Sequence, residues 1–413
     1  MKPKVFYGWY IAVAGLVLAA YYGWIFSYGW TVFVNPILIT FGWSMTQLSL
    51  ASSLRSLETG VFNPLWGKAV DRWSSQKLML FGVVSTAFGM FFLSQTKNLA
   101  MYYLGFLIVG LGSSLITSVL PMTVISRWFK KDLGKAVGLF YTGVGIGGAM
   151  VPLLVKLIDI LSWQTTLLYA SIGLLVLGIP LSFVFRTRPA DYGLVPDGKA
   201  PNAVKGQPRA QASDFGTDVK EALKTRAFWY IGMVNLAHTL GISTLQLYAV
   251  PYLTNFGVSR TTAGTLVGLY TLVSVFGRMP MGILSDVFRK SYVIALSVTL
   301  QGVGFFIFWL IGGTSPPWLI PLFAITFGLG LSGAAALRAP ILREYFGTNN
   351  FGTIFGLSSV FLTVGSMAGP VIAGWLYDKY QDYKAWWMAV IALTVLALIM
   401  ILTIPIAKKR NEG

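Results

Sequence analysis

The sequence predicts an all-α polytopic membrane protein with 12 transmembrane helices in two pseudo-symmetric six-helix bundles. Three observations carry that expectation. The first is composition: of 413 residues, 55% are hydrophobic and 11% charged, with a mean hydropathy of +0.68. A soluble domain carries about 25% charged residues, so this chain lacks the charge to clothe a water-facing surface. The second is a series of apolar runs long enough to cross a bilayer. The third is a repeat, in which the second half of the chain copies the first. A soluble enzyme and a disordered protein are excluded. A transmembrane barrel would alternate polar and apolar residues, and these runs do not.

The runs place spans at 8–36, 45–69, 78–96, 100–127, 135–158 and 164–185, then at 227–255, 261–285, 292–312, 317–342, 352–376 and 385–406. Each approaches or exceeds the roughly 20 residues a helix needs to cross the hydrocarbon core. The first apolar stretch is too long for a signal peptide and no small-residue cleavage site follows it, so it is expected to be retained. Between the sixth and seventh spans lies a polar stretch with Arg186, Arg188, Lys199, Lys205, Arg209, Lys220, Lys224 and Arg226. The expected domains are therefore 1–185, a linker 186–226, and 227–413.

Net charge is +17, from 31 Lys and Arg against 14 Asp and Glu. With the N-terminus inside, 23 of the cations fall in cytoplasmic segments, 5 outside and 3 within spans. That asymmetry predicts both termini in the cytoplasm. It accounts for the basic charge without a nucleic-acid partner.

The halves match in detail. NPILITFGWS (35–44) aligns with VPYLTNFGVS (250–259), and GLG at 110–112 with GLG at 328–330. Gly134, Gly138, Gly147 and Pro152 align with Gly352, Gly356, Gly365 and Pro370 at a spacing of 218. A six-plus-six duplication places a substrate site between the halves near the midplane.

Chemistry is narrowed by absences. There is no Cys and one His, which leaves no disulfide, no thiolate site and no zinc cluster. No G-x-x-x-x-G-K-[ST] occurs, so ATP drive is not expected. No cofactor and no enzymatic constellation are predicted.

The loop element Gly67-x-x-x-Asp71-Arg72 with Lys77, and its weaker copy Gly282, Asp286 and Lys290, resemble the loop motif of the major facilitator superfamily. FYGW (6–9), FGWS (41–44) and RWFKKDLGKAVGL (127–139) resemble its monocarboxylate transporter and oxalate/formate antiporter branch. Arg278, in G-R-M-P-M-G, resembles the substrate-binding arginine of that branch. The resemblance implies proton symport of a small monocarboxylate, lactate or pyruvate in class, by alternating access around helices 1, 4, 7 and 10. It implies a multi-pass protein of the plasma membrane, working as a monomer in the lipid bilayer. Two departures matter. The antiporters carry a Lys in span 11, but 352–376 holds no Lys, Arg or His, which points to a substrate with one carboxylate. Animal monocarboxylate transporters carry an Asp one turn before the span 8 Arg, and here that position is Ser274. An anion exchanger and a ligand-binding membrane sensor stay open as alternatives.

Individual residues follow from the cost of intramembrane charge. Arg278 can grip a carboxylate through two parallel N–H donors, a fork Lys lacks; its alternative is a structural ion pair, for which Glu58 is the one acid far from the loops. Arg55 and Glu58, three apart on span 2, form either a structural pair or a proton site at Glu58. His238 is the second proton-coupling candidate, with a helix-packing role as its alternative. Asp71, Arg72 and Asp286 are gating candidates, as is Arg338, for which a structural role is the favoured reading. Tyr21, Trp24 and Tyr28 share one face of an uninterrupted helix. With Thr117, Ser118, Tyr141, Gln246 and Phe361 they are candidates to line a substrate cavity, with helix packing as the alternative. Gly143, Gly145, Gly147 and Gly148 read as a close-packed helix surface.

Overall fold

A computed structural model describes residues 6–117, 119–129, 132–198, 217–312, 314–347 and 351–405. Helices account for nearly all of them. In order these are α1 (Tyr7–Tyr22), α2 (Trp30–Phe41), α3 (Met45–Arg72), α4 (Ser75–Ser94), α5 (Leu99–Thr117), α6 (Val119–Trp128), α7 (Leu133–Ala149), α8 (Val151–Leu161) and α9 (Trp163–Val184). After the short α10 (Val219–Lys224) come α11 (Arg226–Asn255), α12 (Arg260–Val287), α13 (Lys290–Leu310), α14 (Leu319–Phe346), α15 (Phe351–Tyr380) and α16 (Lys384–Leu402). The twelve expected spans map onto these, with α1–α2 and α7–α8 each forming one interrupted column and α5 with α6 one span, Leu99–Trp128.

Seven stretches among the described residues are long and apolar enough to cross a bilayer on composition alone, or eight if α7 and α8, bent by 42°, count as one. Of the remaining columns, α3, α11 and α12 are not short: at 28 or 30 residues each spans about 42–45 Å. Polar residues such as Gln47, Asn235, His238 and Arg278 dilute them. α14 carries the apolar segment Leu319–Ala334. Helices that face lipid must be apolar, whereas helices that bear polar residues must turn them toward protein or water.

Helix starts follow local chemistry. Ser44 and Gln47 form a capping box at α3: Ser44 Oγ accepts from the Gln47 N–H at 3.1 Å, and Gln47 Oε1 accepts from the Ser44 N–H at 2.9 Å. The FG pairs of the repeat do the same job twice. Gly42 (φ 66°) and Gly257 (φ 83°) take the left-handed conformation that ends a helix before the next begins.

The chain divides into two compact units. The first comprises residues 1–204 with the short segments 246–251 and 260–268; the second comprises 205–245, 252–259 and 269–413. In the first, α4 packs between α5 and α9, and α1 lies along α7. In the second, α13 packs between α14 and α16, and α15 lies against α11. The contacts are close because glycines line them. A Cβ on Gly147 of α7 would fall 2.3 Å from the Ala20 carbonyl oxygen of α1, and one on Gly365 of α15 2.7 Å from that of Leu236 on α11.

Many hydroxyls inside the helices bond to the carbonyl one turn back. Examples are Thr117 to Ser113 (2.8 Å), Thr142 to Gly138 (2.9 Å), Ser182 to Gly178 (2.6 Å), Thr244 to Leu240 (2.9 Å) and Thr394 to Val390 (2.7 Å). Each polar group is thereby satisfied within its own helix.

Candidate functional site

In the first unit the aromatic run of span 1 does not sit on one uninterrupted helix. Residues Gly23–Ser27 form a π-helical turn, in which the Tyr28 N–H donates to the Gly23 carbonyl at 3.0 Å. A π turn advances by more residues than an α turn, so it rotates Tyr28 away from the face shared by Tyr21 and Trp24. Tyr21 and Trp24 do meet, edge to face at 5.9 Å. The Tyr21 hydroxyl donates to the Ala170 carbonyl of α9 at 2.7 Å. Trp24 keeps a buried indole N–H with no acceptor, and Tyr28 is buried. Glycines permit the turn: a Cβ at Gly29 would lie 1.8 Å from the Trp24 carbonyl oxygen. Thr117 is half-buried and bonded to its own helix, and Tyr141 on α7 is exposed. Gln246 is half-buried on α11, in a segment the first unit holds. Ser118 and the side chains of Arg55, Glu58, Asp71 and Asp286 lie outside the described residues. Arg72 is exposed at the end of α3.

Two sequence motifs that stand far apart come together here. Phe6 packs edge-on against Phe129 (5.5 Å) and at a tilt against Trp128 (5.8 Å), and Trp9 meets Phe129 at 4.9 Å. FYGW and RWF therefore build one aromatic cluster. Gly8 is part of its geometry, since a Cβ there would meet the Phe129 ring at 2.9 Å. Arg186, the first linker cation, lies over the rings of Tyr7 (4.1 Å) and Tyr192 (4.2 Å), and its carbonyl accepts from the Trp128 indole at 2.9 Å. The start of the linker is thus tied to the first unit by cation–π contact.

In the second unit the ionisable candidates lie on three different helices. Arg278 is half-buried on α12, with Nε buried. The residue before it, Gly277, packs against Ser332 of α14 so tightly that a Cβ would fall 2.5 Å from the hydroxyl oxygen. Arg278 is therefore carried on a helix held firmly to its neighbour. Ser274, one turn earlier, is buried and donates to the Thr271 carbonyl at 2.7 Å.

His238 is buried on α11 and its Nδ1 lies 2.7 Å from Gln301 Oε1 on α13. Gln301 Nε2 in turn donates to the His238 carbonyl at 3.4 Å. Short-range pattern in the sequence carries no sign of this pair, because its members stand 63 residues apart. Phe361 packs edge-on against Trp229 (5.7 Å) and Phe228 (6.1 Å) over Gly232 of α11. Arg338 on α14 is tied to α15, where its Nη2 donates to the Phe355 carbonyl and to the hydroxyls of Ser358 and Ser359. Lys290, from the loop-motif copy, pairs with Glu344 at 2.7 Å and links α13 to α14.

Among the described residues no group of three or more His, Asp or Glu could hold a metal ion. What the units offer is a guanidinium at Arg278, aromatic and hydroxyl surfaces, and polar pairs between helices. These are groups that can bind a small polar solute.

A sequence model of the Major Facilitator Superfamily matches residues 13–248 and 231–413. Monocarboxylate transporter 12 of Rattus norvegicus is 26% identical over 380 residues, covering 86% of this chain and 76% of the relative. The oxalate:formate antiporter of Oxalobacter formigenes is 23% identical over 374 residues, covering 89% and 85%. Among solved structures, a point mutant of the nucleoside transporter NupG superposes with a TM-score of 0.76 at 13% identity, over 96% of this chain and 99% of that one. At that identity the likeness is one of fold.

Proposed function

We propose, from the premise that the chain belongs to the Major Facilitator Superfamily, that it carries a small monocarboxylate of the lactate or pyruvate class across the membrane together with a proton. Membership itself makes the chain a multi-pass membrane transporter and not an enzyme. The observation that carries the substrate class is Arg278 within α12. An intramembrane guanidinium costs about 2.5–3.5 kcal/mol to insert, and a carboxylate that binds it bidentately compensates that cost during transport. The relatives with monocarboxylate and oxalate:formate names support an organic anion. The absence of Lys, Arg and His from 352–376 favours one carboxylate over two.

Proton coupling follows from charge. A monoanion and a proton move with no net charge, so the membrane potential does not oppose them. Glu58 is the proposed carrier, because a carboxyl is neutral when protonated and sheds an expensive charge, whereas a protonated imidazole at His238 would gain one. The linker side is proposed to be cytoplasmic, from the distribution of Lys and Arg, in a plasma membrane and with the monomer as the working unit.

The test is uptake of labelled lactate, pyruvate, formate and oxalate into proteoliposomes, with and without a pH gradient. Acid outside should accelerate lactate or pyruvate uptake. Arg278→Lys should lower uptake by about tenfold or more, because the fork is lost although the charge stays. Glu58→Gln should abolish gradient-driven uptake and leave exchange intact. Flux that requires substrate on both sides and ignores pH would replace symport with the exchange suggested by the antiporter relative. Transport of oxalate above lactate and pyruvate would overturn the one-carboxylate reading.

A further inference from the structure

The second unit contains a second set of N–H donors that the transport reading does not use. Three acceptors hold the Arg338 guanidinium, and all three take the same terminal nitrogen: the Phe355 carbonyl at 3.4 Å, Ser358 Oγ at 3.4 Å and Ser359 Oγ. The guanidinium carbon also sits 4.3 Å from the Phe355 ring centroid. This fixes one edge of the fork against α15. On the other edge Nε is buried and has no acceptor. Asn235 on α11 is 6% exposed, and its Nδ2 is likewise buried without an acceptor.

Both residues line one cleft, walled otherwise by Ile231, Val234, Ile294, Ala334, Ile341 and Ile401. The walls are apolar and supply no side-chain acceptor. The cleft opens at a mouth and is narrow inside, with room for about one water-sized particle. No Asp or Glu lines it, and Glu344 on the same helix is engaged with Lys290. Arg338 is half-buried, and its partners on α15 are neutral oxygens. A cation beside apolar walls with two idle donors favours an acceptor with negative charge over a neutral water.

We propose that this cleft is an anion site in which Arg338 Nε–H and Asn235 Nδ2–H donate to one small anionic acceptor, a chloride ion or one end of a carboxylate as small as formate. It is separate from Arg278, because α12 contributes no lining residue, and it stands whether or not the chain transports lactate. Its occupation would fasten α11 to α14 and so stabilise the second unit.

The test is thermal unfolding of the full chain in nanodiscs, titrated with sodium chloride, sodium formate or sodium sulfate at matched ionic strength. Chloride, formate or both should raise the midpoint saturably, and sulfate, too large for the cleft, should not. Arg278→Lys should keep the response. Asn235→Leu, close in volume without the N–H, should weaken the apparent affinity by about tenfold. Asn235→Asp, which puts a negative charge beside the ligand, should abolish the response, and Arg338→Lys should reduce it. Response to formate alone would assign a carboxylate site, and response to both a general small-anion site. A wild-type chain that responds to chloride and formate no more than to sulfate would overturn the proposal. So would an undiminished response in the Asn235 variants, which decide the matter even if Arg338→Lys fails to fold.

Discussion

The α1–α7 seam of the first unit and the α11–α15 seam of the second are copies that have diverged in who supplies the small residue. Gly147 and Gly365, 218 residues apart, do the same work, each admitting a neighbouring backbone. One turn earlier the copies part. Gly143 of α7 accepts the backbone of Leu16, with its missing Cβ 2.2 Å from that carbonyl oxygen, whereas the matching position on α15 is Phe361, which lies over Gly232 of α11. The glycine has changed helix and the close approach has survived. The α4–α5 and α13–α14 contacts show the same economy. A Cβ on Gly112 would strike the Thr86 backbone nitrogen at 2.7 Å, and one on Gly330 that of Gln301 at 2.6 Å. Thr86 and Gln301 are therefore counterparts, yet the Thr86 hydroxyl is buried without a partner and Gln301 has His238. Repeat symmetry preserves backbone distances, while the polar side chains placed between those backbones are free to differ.

The largest effects should come from the shared seams. Gly147→Ala and Gly365→Ala force a methyl onto a backbone oxygen and should cost about 1–3 kcal/mol or abolish the monodisperse protein. Gly138→Ala and Gly356→Ala are the matched controls. Both positions have open space where a Cβ would go, and Ala should gain up to about 1 kcal/mol of helix propensity there. Thermal unfolding and size-exclusion profiles compare the four. Equal damage at all of them would break the correspondence.

A smaller, asymmetric effect is expected where the copies differ. Gln301→Leu strips the buried His238 ring of its partner and should destabilise by about 1–3 kcal/mol. Thr86→Val removes a hydroxyl that has no partner and should be neutral or stabilising in the same unfolding assay. Equivalent losses would mean that Thr86 is bonded after all.

The smallest effects belong to the exposed ion pairs, Asp159 with Arg260 in the first unit and Lys290 with Glu344 in the second. Asp159→Asn and Glu344→Gln should each cost less than about 1 kcal/mol, and the loss should shrink in high salt. A loss in either unit that exceeds this and resists salt would mark that pair as part of a network.

The helical columns and their duplication were legible because lipid imposes a length and a polarity on every span and because a repeat leaves glycines at fixed spacing. Gly147 and Gly365 could be paired from the sequence before their contacts were known. The arginines were legible as well, since a charge in an apolar run is conspicuous. The partners were not. Gln301 is an ordinary residue until α13 brings it to His238, and Asn235 draws notice only beside Arg338. Assigning Tyr21, Trp24 and Tyr28 to one face presumed a uniform helical period, and the π turn at Gly23–Ser27 breaks it with residues that carry no distinct propensity signal. Phe6 and Phe129 meet across more than a hundred residues of chain, a distance no periodicity spans.

The hydroxyls bonded one turn back have a consequence for the order in which the chain is made. A span emerging from the ribosome carrying Thr117, Ser182 or Thr394 meets the bilayer with those groups already satisfied, because the bond forms as soon as the helix does. Such spans can partition one at a time. α11 is different: the partner of His238 arrives on α13, two spans later. Until then the imidazole must remain near water or at the translocation channel, so α11 should settle in the bilayer only after α13 has been synthesised. At the matching place the first unit has Tyr22, which stacks on Phe26 of its own span at 5.5 Å.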